Sequence, residues 1–366
     1  MKIKKLLAFG LAAAMAVGMS ACSDDAADPA ASTTGTTTGG AKPIIAVSLP
    51  WLGTQNWAEA NDQFKTAIET AGYEAMVLHA DNKVEVQQQQ IDSMITAGAE
   101  IIIIGPVDGT ALAAQADNAA AQGIKIFGYD RLIENTVNVD AVVQFGSLQT
   151  GREQGQALLD GLAAKAGDAP WNIELFAGGP TDPNAPNFFK GAMEILQPKI
   201  DDGTLVVVSG QTTFEQVATK DWENSVAQTR MEQLLAGFYA DTTVDGVLSP
   251  NDGIARAILT ATDNAGQGFP PVSGLDAEEE SVKWIGEGKQ WSTVAKPTDQ
   301  LVAKTMELVK IVVDGGTLPA GNETASNGAR TDVQVFALPP TVVTKDNCKT
   351  FFTSVADPTR AALCGE

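Results

Sequence analysis

From Ile44 onward, apolar residues follow two patterns along the chain: short continuous runs, and positions spaced three or four residues apart. Short runs rich in Val, Ile, Phe and Tyr predict strands at residues 44–49, 73–80, 100–105, 124–129, 141–146, 171–178, 204–210, 245–250, 270–275 and 290–296. Between them, apolar residues recur every three or four positions, as at Phe64, Ile68 and Ala71, which predicts helices. Nearly continuous Val/Ile strands that alternate with helices favour an α/β fold with parallel sheets covered on both faces.

The chain is long for one domain of this type. Its 366 residues exceed the roughly 100–200 residues of a typical single domain. The pattern therefore predicts two doubly wound parallel-sheet units. The predicted helix ends support this organisation. Gly98 and Gly123 each follow a helical pattern as a stop signal, and Asp108 with Thr110 predicts a helix N-cap.

The first 42 residues have a different character. Residues 1–21 combine a basic start, an apolar run and small residues, which predicts a secretory signal peptide. An uncleaved anchor is the alternative, although flanking stop-transfer charges are missing. The ending "MSAC" resembles a bacterial lipobox, so we expect Cys22 to be lipidated and to begin the mature chain. Residues 22–42 are small and polar, which predicts a flexible tether and a domain displayed outside the membrane.

Charge and cysteine content narrow the function classes. The chain carries 45 Asp and Glu against 24 Lys and Arg, a formal net charge of -21. Such acidity repels phosphate backbones, so nucleic-acid binding is not expected. Cys348 and Cys364 flank a short C-terminal stretch of an exported chain, which favours a disulfide between them. Two free thiols are the alternative.

Polar and aromatic residues follow several of the predicted strands. In open parallel sheets, ligands bind beyond the carboxyl ends of the strands, so these residues are candidates for a site. They are Pro50, Trp51, Trp57, Asp130, Arg131, Asn251, Asp252, Asp276 and Lys296. A plain surface salt bridge is the simpler interpretation of the adjacent Asp130 and Arg131.

These residue types suit a sugar ligand. Sugar hydroxyls both donate and accept hydrogen bonds, and the ring presents weakly apolar faces that pack on aromatic side chains. Trp57 and Trp222 can provide such rings. Phe188 and Phe189 are either further rings or core residues. A buried polar group that stays unpaired costs ~1–3 kcal/mol, which lets such a site reject the wrong epimer.

Enzyme chemistry has little support in the residues. His79 is the one histidine, and no serine or cysteine signature surrounds it. No phosphate-binding glycine loop is present, and no His/Cys cluster has metal-ligand spacing, so neither a cofactor nor a metal is expected. Asp130, Asp252 and Asp276 could pair as glycosidase carboxylates, because sequence alone does not fix their distances. Hydrolysis therefore stays open as an alternative.

Six motifs carry a family resemblance. The chain resembles type I periplasmic sugar-binding proteins, most closely the xylose-binding and ChvE-type multiple-sugar-binding proteins, over nearly all of residues 44–345. The motifs are "GPVDGTAL", "GYDRLI", "WNIELFAGGPTDPNAPNFFKGAMEILQP", "DGVLSPNDGIARAI", "VSGLDAEEESVKWI" and "TVAKPTDQL". The resemblance implies a monomeric extracytoplasmic lipoprotein that is not an enzyme. It binds an aldose of the xylose, glucose, galactose or arabinose class and delivers it to the membrane subunits of an ABC importer. In ChvE-type members the receptor can also serve a sensor protein, and a signalling receptor is the alternative function.

The resemblance also implies a domain map and a ligand set. It places one lobe at residues 43–146 plus 276–317 and the other at 147–275 plus 318–366, joined by a three-segment hinge. The implied sugar contacts are Trp57, Asp130, Arg131, Asn184, Asp252, Asp276 and Lys296, with Trp222 as a further ring. Gly146 and Ser147 replace an Asp-Asn pair of the family, and Leu275 replaces a glutamine. A ligand lacking a hydroxyl there, a larger sugar, or substitution by Gln144, Gln149 or water would accommodate these changes.

Overall fold

The computed structural model describes residues 42–365. The predicted signal peptide, Cys22 and residues 22–41 of the predicted tether lie outside the described residues.

Strands and helices alternate through much of this part of the chain, as the sequence predicts, but the predicted strand at 270–275 forms only isolated bridges at Val272 and Leu275. The strands are β1 (Ile44–Leu49), β2 (Glu74–His79), β3 (Ile101–Ile104), β4 (Lys125–Tyr129), β5 (Ala141–Phe145), β6 (Trp171–Leu175), β7 (Leu205–Val207), β8 (Gly246–Leu248), β9 (Ser292–Ala295), β10 (Glu323–Ala325), β11 (Val333–Leu338) and β12 (Thr341–Thr344). The helices are α1 (Gln55–Thr70), α2 (Val84–Thr96), α3 (Ala113–Ala121), α4 (Ser147–Lys165), α5 (Ala185–Asp201), α6 (Phe214–Val217), α7 (Asn224–Phe238), α8 (Asp252–Asn264), α9 (Glu279–Gly286), α10 (Thr298–Val313), α11 (Cys348–Ser354) and α12 (Pro358–Leu363). A short 3-10 helix covers Lys220–Trp222.

Seven strands form the first sheet, in the order β10-β11-β5-β4-β3-β1-β2. All neighbours pair in parallel except β10 with β11. The four isoleucines of β3 show why its sequence is continuously apolar: Ile101 and Ile103 face one core, and Ile102 and Ile104 face the other. Helices α1 and α10 cover the first of these cores, and α2 and α3 cover the second. We call this sheet with these helices the first lobe.

The second lobe is built around β6, which pairs in parallel with β7 and β8. Isolated bridges at Val247–Val272 and Leu275–Val294 continue this order to β9, and β9 pairs antiparallel with β12. Helices α4 and α5 pack so closely that a Cβ on Gly151 would lie 2.0 Å from the carbonyl oxygen of Phe188. Glycine is therefore required at this helix contact, which fixes where the start of α5 lies.

The predicted lobe boundaries after residue 275 are wrong. Strand β11 pairs with β5, so residues 323–338 belong to the first sheet and not to the second lobe. Strand β9 pairs with β12, so residues 276–295 belong with the second lobe and not with the first. Strand pairing decides which lobe a segment belongs to. The sequence of a short β-rich run does not indicate which strand it will pair with. The chain passes between the lobes after β5, after β9 and after β11.

Of the predicted helix-end signals, the two glycine stops are confirmed and the N-cap is wrong. Gly98 and Gly123 follow α2 and α3 with φ of 79° and 80°, which confirms them as helix stops. The predicted N-cap at Asp108 is wrong, because α3 begins only at Ala113. Asp108 Oδ1 instead accepts hydrogen bonds from the backbone N–H and the hydroxyl of Thr110, closing a turn before the helix.

The C-terminal segment is fastened to the second lobe. Cys348 and Cys364 form a disulfide with their Cα atoms 5.6 Å apart, as opposed to two free thiols. Both cysteines are buried in a small apolar cluster with Val282, Val343 and Phe352. The bond links the start of α11 to the residue after α12, so the two short helices are held as one piece.

Candidate functional site

A narrow cavity lies where the carboxyl ends of strands from both lobes meet. Its volume is about 40 Å³. The lining residues are Trp51, Thr54, Asn56, Trp57, Asp130, Arg131, Asp182, Phe188, Trp222, Asn251, Leu275, Asp276 and Lys296. The cavity thus gathers Trp57, Asp130, Arg131, Trp222, Asp276 and Lys296 of the predicted set.

A sharp turn after β4 delivers the Asp130–Arg131 pair to this cavity. Asp130 adopts a left-handed backbone conformation with φ of 63°, which costs a non-glycine residue ~1 kcal/mol or more. Its backbone N–H donates to the carbonyl of Val143 at 2.8 Å, and the next N–H, of Arg131, donates back to Tyr129 at 2.7 Å. The first bond is the last one of the ladder with β5, and the strand ends at the second, because the Arg131 N–H bonds back to its own strand instead of to β5.

Arg131 is held in place on three sides. Its Nη1 donates to the Pro106 carbonyl at 3.0 Å, and its guanidinium carbon lies 5.3 Å from the centre of the Trp57 ring. Its Nε lies 3.0 Å from Asp182 Oδ2, an ion pair between the two lobes in which both side chains are buried. Burial raises the pKa of the Asp182 carboxyl, although Arg131 opposes the shift. The simpler alternative, a surface salt bridge between Asp130 and Arg131, is not found, because Arg131 pairs with Asp182.

Sequence reasoning missed Asp182, although a signal was present. It stands two residues before Asn184 within the same motif that carries the family resemblance. Its Oδ1 accepts the backbone N–H of Asn184 at 2.9 Å, so it also shapes the turn that starts α5.

Lys296 joins two carboxylates across the cavity. Its Nζ lies 3.4 Å from Asp130 Oδ2 and 3.2 Å from Asp276 Oδ1. Burial disfavours its charge, but the two carboxylates overcome this and raise the pKa of Lys296 above its ordinary value. Burial raises the pKa of Asp276, and Lys296 partly opposes that shift. Asp276 also has a left-handed backbone, with φ of 91°, so the turn after residue 275 aims it at the cavity.

Three buried polar atoms at this cavity have no hydrogen-bond partner within residues 42–365. They are Arg131 Nε, Trp222 Nε1 and Asp276 Oδ1. The first and last lie near an opposite charge, but the geometry is that of an ion pair without a hydrogen bond. Leaving such a group unpaired costs ~1–3 kcal/mol, and native proteins rarely do so without reason. The atoms offer two donors and one acceptor to a polar ligand.

Two tryptophans bound the cavity from opposite lobes. Trp57 is buried on α1 and meets Tyr129 edge-on at 6.0 Å. Trp222 has a left-handed backbone with φ of 58°, and a Cβ on Gly178 would lie 2.1 Å from its ring. The glycine therefore makes room for the ring.

The two phenylalanines have different surroundings. Phe188 lines the cavity while packing against Leu275 and Val294. Phe189 lies in the core of the second lobe, 6.0 Å from Phe214.

Asn184 lies beside the cavity and does not line it. Its Nδ2 donates to the backbone carbonyl of Asp130 at 2.7 Å, which ties the start of α5 to the first lobe. The side chain faces a larger groove of about 870 Å³, where Gln144, Gly146, Ser147 and Gln149 also lie. The departures at Gly146 and Ser147 therefore change this groove and not the small cavity.

Asp252, a predicted ligand contact, does not line this cavity. Asp252 is fully buried behind the cavity, where Oδ1 accepts from Gln290 at 2.9 Å. Its Oδ2 accepts from the Glu278 N–H and the Thr293 hydroxyl at 2.9 and 3.0 Å. Burial, helped by nearby Glu278, raises the pKa of Asp252 to about 8.

Asn251 takes the place of Asp252 at the cavity. Its Oδ1 caps α8 by accepting the Ile254 N–H at 2.9 Å. Asp252 is instead the first residue of that helix, where its side chain turns inward.

The cavity brings the carboxylates of Asp130 and Asp276 together around Lys296 and leaves Asp252 buried behind it. His79 lies on the edge strand β2 and is not among the cavity residues. Within residues 42–365, no cluster of three or more His, Cys, Asp and Glu side chains is arranged to hold a metal ion. In the same range no helix combines the length and apolar character needed to cross a membrane.

Comparison with known proteins gives a consistent result. Residues 45–317 match the model of a periplasmic binding protein domain. A multiple sugar-binding periplasmic protein of Azospirillum brasilense is 37% identical over 84% of this chain and 87% of its own length. The D-xylose-binding periplasmic protein of Escherichia coli is 31% identical over 83% of this chain and 88% of its own length.

A solved structure agrees as well. An ABC transporter solute binding protein from Clostridium phytofermentans, with bound β-D-glucose, superposes with a TM-score of 0.82 at 32% identity. The match covers 87% of this chain and 99% of that one.

Proposed function

The chain belongs to the periplasmic binding protein family, and we propose that it binds one aldose monosaccharide between its lobes and delivers it to an ABC importer. The relatives are binding proteins, so the chain is a receptor and not an enzyme. The family implies an extracytoplasmic location. The observation that carries the proposal is one small cavity, bounded by two tryptophans, in which Arg131 Nε, Trp222 Nε1 and Asp276 Oδ1 are buried and make no hydrogen bond within residues 42–365.

The chemistry of these groups matches sugar hydroxyls. A hydroxyl can accept from Trp222 Nε1, which has no partner within residues 42–365. It can also add to the ion pairs of Arg131 and Asp276 by accepting from Nε or donating to Oδ1. Bonds to the charged groups are the stronger ones. The tryptophans supply apolar surface for the C–H faces of the ring. Relatives named for sugar binding, and a solved neighbour that holds glucose, support this class of ligand.

The mechanism we propose is closure of the lobes around the sugar. Two of the three connections between the lobes, after β5 and after β11, leave neighbouring strands of the first sheet. They would act with the third as a hinge, and sugar binding would shift the population toward the closed form. Arg131–Asp182 and Asn184–Asp130 are contacts that closure would make and opening would break. The closed lobes would present the surface that the importer's membrane subunits recognise.

Membrane attachment and further partners belong to the same proposal. We expect Cys22 to carry a diacylglyceryl group, which intact-mass analysis of membrane-extracted protein would detect. A cleavage site elsewhere in a soluble protein would contradict the anchor. A monomeric state and a sensor protein as a further partner remain expectations.

A ligand screen tests the central claim. Thermal-shift measurements against pentoses, hexoses, sugar acids and alditols should show stabilisation by at least one neutral aldose, followed by calorimetry at one-to-one stoichiometry. A protein that no aldose stabilises would refute the proposal. Stabilisation only by a furanose-type signal would instead favour the signalling receptor.

A further inference from the structure

The C-terminal segment reaches across to the first lobe through one side chain. Arg360 lies on α12, which the Cys348–Cys364 disulfide fastens to α11 and so to the second lobe. Its Nη2 donates to Glu59 Oε1 on α1 at 2.7 Å. The Arg360 and Glu59 side chains are only 14% and 26% exposed, so this ion pair is partly shielded from solvent. Such pairs are screened less by salt than pairs at the open surface.

The same guanidinium is anchored twice within its own lobe. Its Nη1 donates to Asp357 Oδ2 at 2.7 Å, and its Nε donates to the carbonyl of Ala277 at 2.7 Å. A planar guanidinium can serve three acceptors in fixed directions, which a lysine ammonium on a flexible stem does less well. Its contacts in the second lobe therefore hold the Arg360 guanidinium in one position relative to Glu59.

A second crossing contact lies beside it. Gln55 on α1 accepts the Glu279 backbone N–H at 2.8 Å and donates to Glu279 Oε1 at 2.9 Å. The same Gln55 amide donates to Glu59 Oε1 at 3.0 Å. The two contacts thus share Glu59, and they form one polar strip between α1 and the second lobe.

This strip is connected to the candidate cavity. Ala277, whose carbonyl Arg360 holds, follows Asp276 directly, and both have left-handed backbones with φ of 53° and 91°. Residues other than glycine keep such conformations only where surrounding contacts hold them. The bond from Arg360 is one of those contacts, so it bears on where the Asp276 carboxylate lies.

We infer that Arg360 is a positioning residue that latches the closed lobes through Glu59 and holds the turn that carries Asp276. This inference rests on the proposed function, because it assigns the latch to the sugar-bound state. The residue does not line the small cavity itself. Its effect is therefore expected on how long the sugar stays bound, not on which sugar binds.

The test compares Arg360→Met, Glu59→Gln and the double variant, each with its disulfide intact. Sugar release is followed by stopped-flow tryptophan fluorescence, using an aldose that stabilises the wild type. Each single change should raise the dissociation rate about tenfold, or ~1.4 kcal/mol, with a nearly unchanged association rate. The double variant should release sugar no faster than the faster single variant, because both changes break the same contact.

Arg330→Met is the matched control. It removes an arginine from an exposed ion pair with Asp332 in the first lobe, so sugar release should match the wild type. Dissociation rates within twofold of wild type in both single variants, or fully additive effects, would overturn the latch.

Failure of the proposed function would look different, since the wild type itself would bind no aldose. In that case the latch, which is assigned to the sugar-bound state, would be overturned together with the proposed function.

Discussion

Replacing Lys296 with methionine tests the charge arrangement of the cavity. Methionine keeps much of the side-chain volume and removes the ammonium that lies 3.4 Å from Asp130 and 3.2 Å from Asp276. The Asp130 and Asp276 side chains are only 12% and 11% exposed, and both would lose their shared cation. Removing one partner of a buried ion pair typically costs ~3–5 kcal/mol, because the remaining charge is neither solvated nor paired. We expect a loss of this size in the free energy of unfolding at pH 7.

The loss should depend on pH in a definite direction. Burial already raises the pKa of Asp276, and removing Lys296 removes the main influence that opposes this shift. An acid whose folded-state pKa lies above its unfolded value binds more protons when folded, so its contribution to stability falls as pH rises. The variant should therefore recover part of its stability as the pH falls and Asp276 takes up a proton.

Urea unfolding at pH 5, 6 and 7, without sugar, measures both effects. Lys310→Met is the control, because Lys310 pairs with Asp314 at 2.6 Å on the exposed face of α10. That change should leave stability nearly unaltered at every pH. A Lys296→Met protein as stable as wild type at pH 7, or one that weakens further toward pH 5, would refute the reasoning.

Three further predictions concern single side chains. Arg131→Ala should lower aldose affinity at least tenfold, or ~1.4 kcal/mol, and unchanged calorimetric binding by the folded variant would contradict its place in the site. Trp222→Phe keeps a ring but removes the buried Nε1–H, so affinity should fall by about 1 kcal/mol. The control Trp284→Phe, whose indole donates to Glu280 at 2.8 Å, should bind sugar normally. Asp252→Ala should lower the urea midpoint of unfolding, since Gln290 and the Glu278 N–H lose their acceptor. An unchanged midpoint together with abolished sugar binding would restore Asp252 as a direct ligand contact.

Periodicity predicted most of the strands because their residues must be buried on both faces. The Ile run of β3 and the apolar runs of β1 and β4 leave few other structures open to them. Strands β10, β11 and β12 were missed, although "VQVFAL" and "TVVT" are β-rich runs separated by two prolines. They are short and late in the chain, and two of them complete sheets whose other strands lie far away in sequence.

In the candidate site, too, the sequence predicted some features and not others, here at the level of side chains. Strand ends and motifs identified Trp57, Asp130, Arg131, Asp276 and Lys296, because the carboxyl edge of a parallel sheet gathers whatever follows its strands. They could not separate Asn251 from Asp252, which differ by one position at the start of α8 and face different sides.

The sequence by itself determined the fold class, the family and the residue types near the ligand. These follow from local burial patterns and from motifs that are contiguous in the chain. Only the tertiary structure decided which lobe residues 276–338 join, that Asp182 faces Arg131, and that Arg360 meets Glu59 across 301 positions. Each of these depends on pairing between segments distant in sequence, whose partners are fixed only when the whole chain packs.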